Sequence, residues 1–157
     1  MLTFVVEPEA GEVIRPLGGR WRRCFGPSLR HLWRMEQRDR DGRIGIILVG
    51  ADRIRALNRD FRGEDRPTDV LSFDLSDRPE EIEGEIYVGV RAAAARARRL
   101  GYPVTEELAR LMIHGLLHLA GHDHHSPGDG RRMAAATRRW LDVWRASCPP
   151  APPEKES

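Results

Sequence analysis

TEELARLMIHGLLHLAGHDHH, residues 105 to 125, decides how the rest of the chain is read. Leu108, Leu111, Met112 and Leu116 recur at steps of three and four, the period of a helix with one buried face. Thr105, Glu106 and Glu107 open it with acidic groups where the helix dipole favours negative charge. Gly121 is a left-handed stop. The stretch therefore predicts a core helix, and five of the six histidines in the chain fall between 114 and 125.

Outward from that helix, strands and helices interleave. LTFVV (2–6), IGIILVG (44–50), DVLSFDL (69–75, just after Pro67) and GEIYVGV (84–90) have the composition and patterning of strands. Helices are predicted over 27–38, after Gly26-Pro27, with Leu29, Leu32, Trp33 and Met35 for its core face, and over 51–62, with Ile54, Leu57 and Phe61 at helical spacing. An alanine/arginine helix over 91–100 stops at Gly101 and Pro103, and a last helix over about 128–146 carries Met133, Trp140, Leu141 and Trp144. That makes four strands and five helices. The closing CPPAPPEKES is proline-rich and polar, so residues 148–157 are expected to be a disordered tail behind a domain of residues 1–147.

The chain has 157 residues, the size of one domain. Apolar residues make up 40% and charged residues 32%, and no run approaches the ~20 apolar residues that span a bilayer. No membrane partner is expected. The opening MLTFVVEPEAGEV has no basic leader and apolar core, so a cytoplasmic location is expected. Cys24 and Cys148 lie far apart with no ligand spacing, and reduced thiols without a role are expected there. Among the 26 basic residues Lys155 is the one lysine. Arginine forks suit phosphate, and Arg20, Arg22, Arg23, Arg30, Arg34 and those of helix 91–99 are candidates for a phosphate-tracking surface. GC-rich coding drift produces the same bias.

His114 and His118 are four apart, so on a helix both imidazoles project from one side and reach one ion. After the reversal at Gly121, His124 arrives at offset ten from His114 and closes a three-nitrogen site; His122 or His125 is an alternative third ligand, and Asp123 a candidate acceptor behind a ligand ring. Three imidazoles suit zinc and leave a fourth position for water, the catalytic arrangement. One zinc ion per chain is the expected cofactor.

The spacing HxxxHxxGxxH is similar to that of the metzincin peptidases, which place a glutamate directly after the first histidine as general base. Here that position is Gly115, which takes no proton. Peptide hydrolysis is accordingly disfavoured. Arg62 ends an amphipathic helix just before Gly63, a place for either a solvated arginine or a phosphate-binding fork.

HGLLHLAGHDH, with LNRDFRGEDRPTDVLSF upstream and GEIYVG between, resembles the YbeY family of bacterial metal-dependent endoribonucleases, the ribosomal RNA maturation factors. The resemblance covers residues 44 to about 145. It implies an α+β fold: a small mixed four-stranded sheet packed with about five helices, and a zinc site at the carboxyl end of the long central helix. It further implies that His114, His118 and His124 bind zinc, that Arg62, His114 and His118 serve catalysis, and that the substrate is single-stranded RNA. Maturation of the 3′ end of small-subunit ribosomal RNA, and association with the small ribosomal subunit and its proteins, follow from the same resemblance. The chain departs from the family pattern at Phe61 and His122, where tyrosine is usual, and at Glu64, where lysine is usual. A non-catalytic, zinc-bearing assembly factor would carry the same three histidines.

Overall fold

The computed structural model describes residues 1–37, 40–122 and 126–148. The four expected strands are β1 (Leu2–Val6), β2 (Asp41–Val49), β3 (Val70–Asp74) and β4 (Glu81–Gly89). They form one sheet in the order β1-β2-β4-β3, in which β1, β2 and β4 run parallel and β3 lies antiparallel at the edge. The described residues form six α-helices: α1 (Gly11–Ile14), α2 (Arg20–Gln37), α3 (Ala51–Arg62), α4 (Val90–Leu100), α5 (Val104–Leu119) and α6 (Pro127–Ser147). This is a single α+β domain with a mixed sheet.

Alternation along the strands divides the molecule. Ile44, Ile46 and Leu48 of β2 and Ile82, Ile86 and Val88 of β4 join α2, α4, α5 and α6 in the main core. Ile47 and Val49 of β2, Leu71 and Phe73 of β3 and Tyr87 of β4 face the other way, where Ile54 and Leu57 of α3 cover them. Parallel strands covered on both faces read as continuous apolar runs, which is why IGIILVG lacks the alternation of a half-exposed strand.

Three expectations are corrected. Helix 27–38 begins at Arg20, seven positions earlier, because Trp21, Phe25, Leu29 and Leu32 or Trp33 form one buried stripe that continues through Pro27. Proline had suggested a start, since its missing N–H is tolerated at a first turn; here it lies inside the helix. The segment between β1 and α2, for which no element was expected, holds α1 flanked by 3-10 turns at Pro8–Ala10 and Arg15–Leu17. Finally, Cys24 and Cys148 are joined in a disulfide rather than left as two reduced thiols. Packing of α2 beside α6, with Phe25 stacked on Trp144 at 5.7 Å, brings the two sulfurs together across 124 residues. Cys148, first residue of the expected tail, is thereby tied to the domain; 149–157 lie outside the described residues.

Candidate metal centre

Helix α5 lies along the main-core face of the sheet, with Leu108, Leu111, Met112, Leu116 and Leu117 all buried. His114 and His118 occupy its remaining stripe, one turn apart, the first half-buried and the second exposed. The residue between them on the inner side, Gly115, is there for space. A Cβ on it would stand 2.7 Å from Ile86 Cγ2 and 3.1 Å from the Ser72 hydroxyl, so the helix approaches the sheet more closely than any side chain permits. A glutamate at that position would be driven into the sheet, away from an ion held by the histidines, which gives the missing peptidase base a structural reason.

The end of α5 is built to hand the chain on in one direction. Ala120 caps the helix, Gly121 takes φ of 105°, its N–H donates to the His118 carbonyl, and the His122 N–H donates to the Leu117 carbonyl. This pair of bonds is a Schellman motif, which only a left-handed residue can close. Ser126 then caps α6, its hydroxyl accepting from the Asp129 N–H at 3.2 Å. His124, the third expected ligand, falls with Asp123 and His125 outside the described residues, and among the described residues no group of three potential ligands occurs. What the described residues do show is His114 and His118 one turn apart on α5, the first half-buried and the second exposed, a pair of donors of the kind that suits zinc.

A contact that the sequence does not announce joins α2, the residue after Gly121 and α6. Glu36 of α2 stands 3.0 Å through Oε2 from His122 Nε2, while its Oε1 accepts from Trp140 Nε1 of α6 at 2.7 Å. Burial pushes the Glu36 carboxyl upward, but the hydrogen bonds from His122 and Trp140 and the charges of His122 and Arg139 outweigh it and hold it below the usual carboxylate range. Glu36 and His122 are 86 residues apart, so no local pattern relates them.

A second polar cluster sits toward the other end of α5. Glu107 is fully buried and receives the Arg110 guanidinium at 2.6 and 3.0 Å, the Tyr102 hydroxyl, and Arg96 at 3.4 Å. Burial raises its carboxyl, yet the Arg110 and Tyr102 hydrogen bonds and the two arginine charges leave it lowered. Here Glu107 and Arg96 neutralise one another, and Arg91 pairs with Glu12, so two arginines of the expected phosphate surface are engaged within the protein. Arg20, Arg22, Arg23, Arg30 and Arg34 are exposed along α2.

Arg62 is the exposed last residue of α3, and Gly63, with φ of 70°, ends the helix there. The carboxylates around it are taken by other partners: Asp60 by Arg59 at 3.0 Å, Glu64 by Arg66 at 2.7 Å, and Asp65 by Arg55 at 2.9 Å. Glu64, the departure that removed a cation, is thus answered within its own loop. Phe61, 68% exposed, leans on Phe73 of β3 at 5.1 Å. The helix bearing Arg62 and the helix bearing the histidines therefore flank β3 from opposite sides, through Phe73 and Ser72 respectively.

Residues 17–145 match the family model described as endoribonuclease YbeY. The chain belongs to the YbeY endoribonuclease family. Curated YbeY endoribonucleases similar to it include that of Anaeromyxobacter sp. (strain Fw109-5), 52% identical over 96 residues, which is 60% of this chain and 50% of the relative. Another, from Thermotoga maritima, is 48% identical over 106 residues, 66% of this chain and 69% of the relative. The match thus spans only half the length of the Anaeromyxobacter protein. Among solved structures, the solution structure of a Thermotoga maritima protein is similar over 99% of both chains, with a TM-score of 0.65 and 30% identity. That likeness in fold covers the whole domain, including α1 and the start of α2, which precede the stretch that carried the resemblance in sequence.

Proposed function

We propose that this YbeY family member is a zinc-dependent endoribonuclease that cuts single-stranded RNA, acting in the cytoplasm on the 3′ end of small-subunit ribosomal RNA. The observation that carries the reading is the pair His114 and His118 on the open stripe of α5, with Gly115 between them sealed against the sheet. His114, His118 and His124 would hold the ion. When bound, zinc supplies Lewis acidity toward a water and toward the phosphodiester. The α5 backbone, locked by Leu116 and Leu117 in the core, orients the first two imidazoles. Arg62, in no ion pair among the described residues, would offer its guanidinium to the nonbridging phosphate oxygens and the negative charge that grows there. The exposed arginines of α2 suit attraction of the RNA backbone without reading its sequence. No helix among the described residues is long and apolar enough to cross a membrane. The small ribosomal subunit is the proposed partner.

The test is cleavage of an internally labelled single-stranded RNA by the wild type beside His118→Ala, with zinc measured in both. About one zinc per chain and cleavage in the wild type, both lost in the variant, is expected. Equal cutting by both would assign the activity to a contaminant, and a zinc-bearing wild type that leaves RNA whole would favour an assembly factor.

A further inference from the structure

We infer that Phe61 is the stacking platform for one unpaired nucleobase of the RNA, beside the phosphate that Arg62 meets. The inference rests on the RNA-cutting reading above and adds a contact with a base to contacts that were with the backbone alone.

The chain has four tryptophans, two tyrosines and four phenylalanines, and all are buried or half-buried except Phe61, which is 68% exposed. A ring covered on both faces could not be so open, so Phe61 offers a flat apolar surface to solvent. It is held from behind. The ring leans on Phe73 of β3, with centroids 5.1 Å apart and planes at 59°, and Phe73 meets Tyr87 of β4 edge-on at 5.8 Å. The Tyr87 hydroxyl donates to Glu85 at 2.6 Å, and the Arg53 guanidinium lies 6.0 Å over the Tyr87 ring. Three aromatic rings in a row, rooted in the sheet, therefore support Phe61, and a surface held in advance spares the cost of ordering it on binding.

Charge decides the occupant. Phe61 and Arg62 are the last two residues of α3, and the chain turns away at Gly63 in a left-handed conformation. Arg62 is in no ion pair among the described residues, while Asp60, Glu64 and Asp65 are each engaged by another arginine. A cation without a local counterion beside an open ring matches a nucleotide, which carries an anion and a π-face within one unit. The other exposed side chains of this helix end, among them Arg55, Arg59 and Asp60, are charged, so Phe61 is not part of an apolar patch of the kind a protein partner would cover. Inside a duplex each base is covered on both faces by its neighbours, and only an unpaired base can turn a face to Phe61. The platform thus favours a single strand, and since every base has a π-face it does so without reading sequence.

The experiment measures, by fluorescence anisotropy on the full chain, binding of a single-stranded 2′-O-methyl oligoribonucleotide and of an abasic strand of equal length. The proteins are wild type, Phe61→Leu, Phe61→Tyr and Arg62→Ala, with thermal melting of each and cleavage of unmodified RNA alongside. The wild type should bind the base-bearing strand about fivefold or more tightly than the abasic one, a comparison that needs no variant. Phe61→Leu keeps an apolar cover on Phe73 but has no flat face. It should lose that preference, leave binding of the abasic strand unchanged, and melt within a few degrees of the wild type. Phe61→Tyr should bind as the wild type does, and Arg62→Ala should weaken both strands, because both carry the phosphate. Equal wild-type affinity for the two strands overturns the inference, as does an equal loss on both in Phe61→Leu, which would make Phe61 a mere support for Arg62. Full binding by Arg62→Ala separates the ring from the phosphate contact and overturns it too. If wild type and Phe61→Leu bind and cut RNA alike, the RNA reading stands and the platform falls; a wild type that neither binds nor cuts removes both.

Discussion

Helix α5, which carries His114 and His118, and helix α3, which ends in Arg62, lie on opposite faces of one sheet and are held to it in different ways. α5 is sunk into the main core from Leu108 to Leu119, with Gly115 drawn against Ile86 and Ser72 and with Glu107 buried among arginines. α3 covers its face nearly alone, with Ile54 and Leu57 over Val49 and Leu71, and with Phe61 and Arg62 left to solvent. The difference teaches which half of the site is rigid. Metal ligands need fixed geometry, and the two proposed here, His114 and His118, come from the buried helix; Arg62, the group proposed to meet the phosphate backbone, has the thinner support.

The largest test of this contrast is core truncation. Leu116→Ala beneath the histidines should cost about 4 kcal/mol, and Leu57→Ala beneath Arg62 about 2 kcal/mol, since the cost grows with the cavity that the surroundings fail to fill. Urea denaturation of the two variants measures both; equal losses would break the comparison. Next in size is the bond between Cys24 and Cys148, which closes a loop of 124 residues on the α5 side of the sheet. Reduction should lower stability by about 3 kcal/mol through the freed unfolded chain. Urea midpoints with and without a dithiol reductant read it, and an unchanged midpoint would remove the bond from the list of what holds α6 in place.

A smaller effect sharpens the contrast within α5. The Glu107 carboxyl is lowered in the folded protein, so its ionised form contributes stability above the unfolded-state value of 4.5, and that contribution is lost as the pH falls through the folded value. Glu107→Gln should therefore flatten the acid limb of the stability curve while shifting little at pH 8 beyond a constant offset. An acid limb identical to that of the wild type would place the acid sensitivity in other carboxylates. Smallest of all is Arg62→Ala: exposed, and in no ion pair among the described residues, it should change stability by less than about 0.5 kcal/mol. Its RNA cleavage should nevertheless fall about 100-fold, as for loss of one donor to developing charge. A large loss of stability would mean that α3 is held by its exposed end after all.

Much of this was legible in the sequence because the signals are local. Period-3.6 leucines, the stop at Gly121, the four-residue step between His114 and His118 and the four strands all follow from neighbours along the chain. Two local signals misled. Pro27 suggested a helix start that the buried stripe from Trp21 to Trp33 overrides, and two cysteines 124 residues apart suggested free thiols. The Glu36–His122–Trp140 contact left no trace, since each member is unremarkable in its own segment and only packing joins them.

The sequence by itself determined the secondary elements, the family resemblance and the imidazole pair, because those depend on periodicity and spacing that a chain carries wherever it is. Only the tertiary structure decided the strand order, the face on which each helix lies, why position 115 is a glycine, the pairing of Cys24 with Cys148, and the contact of Glu36 with His122. Each of these joins residues distant in sequence. What brings them together is the burial of two faces of one sheet, a demand of the whole chain that no short window contains.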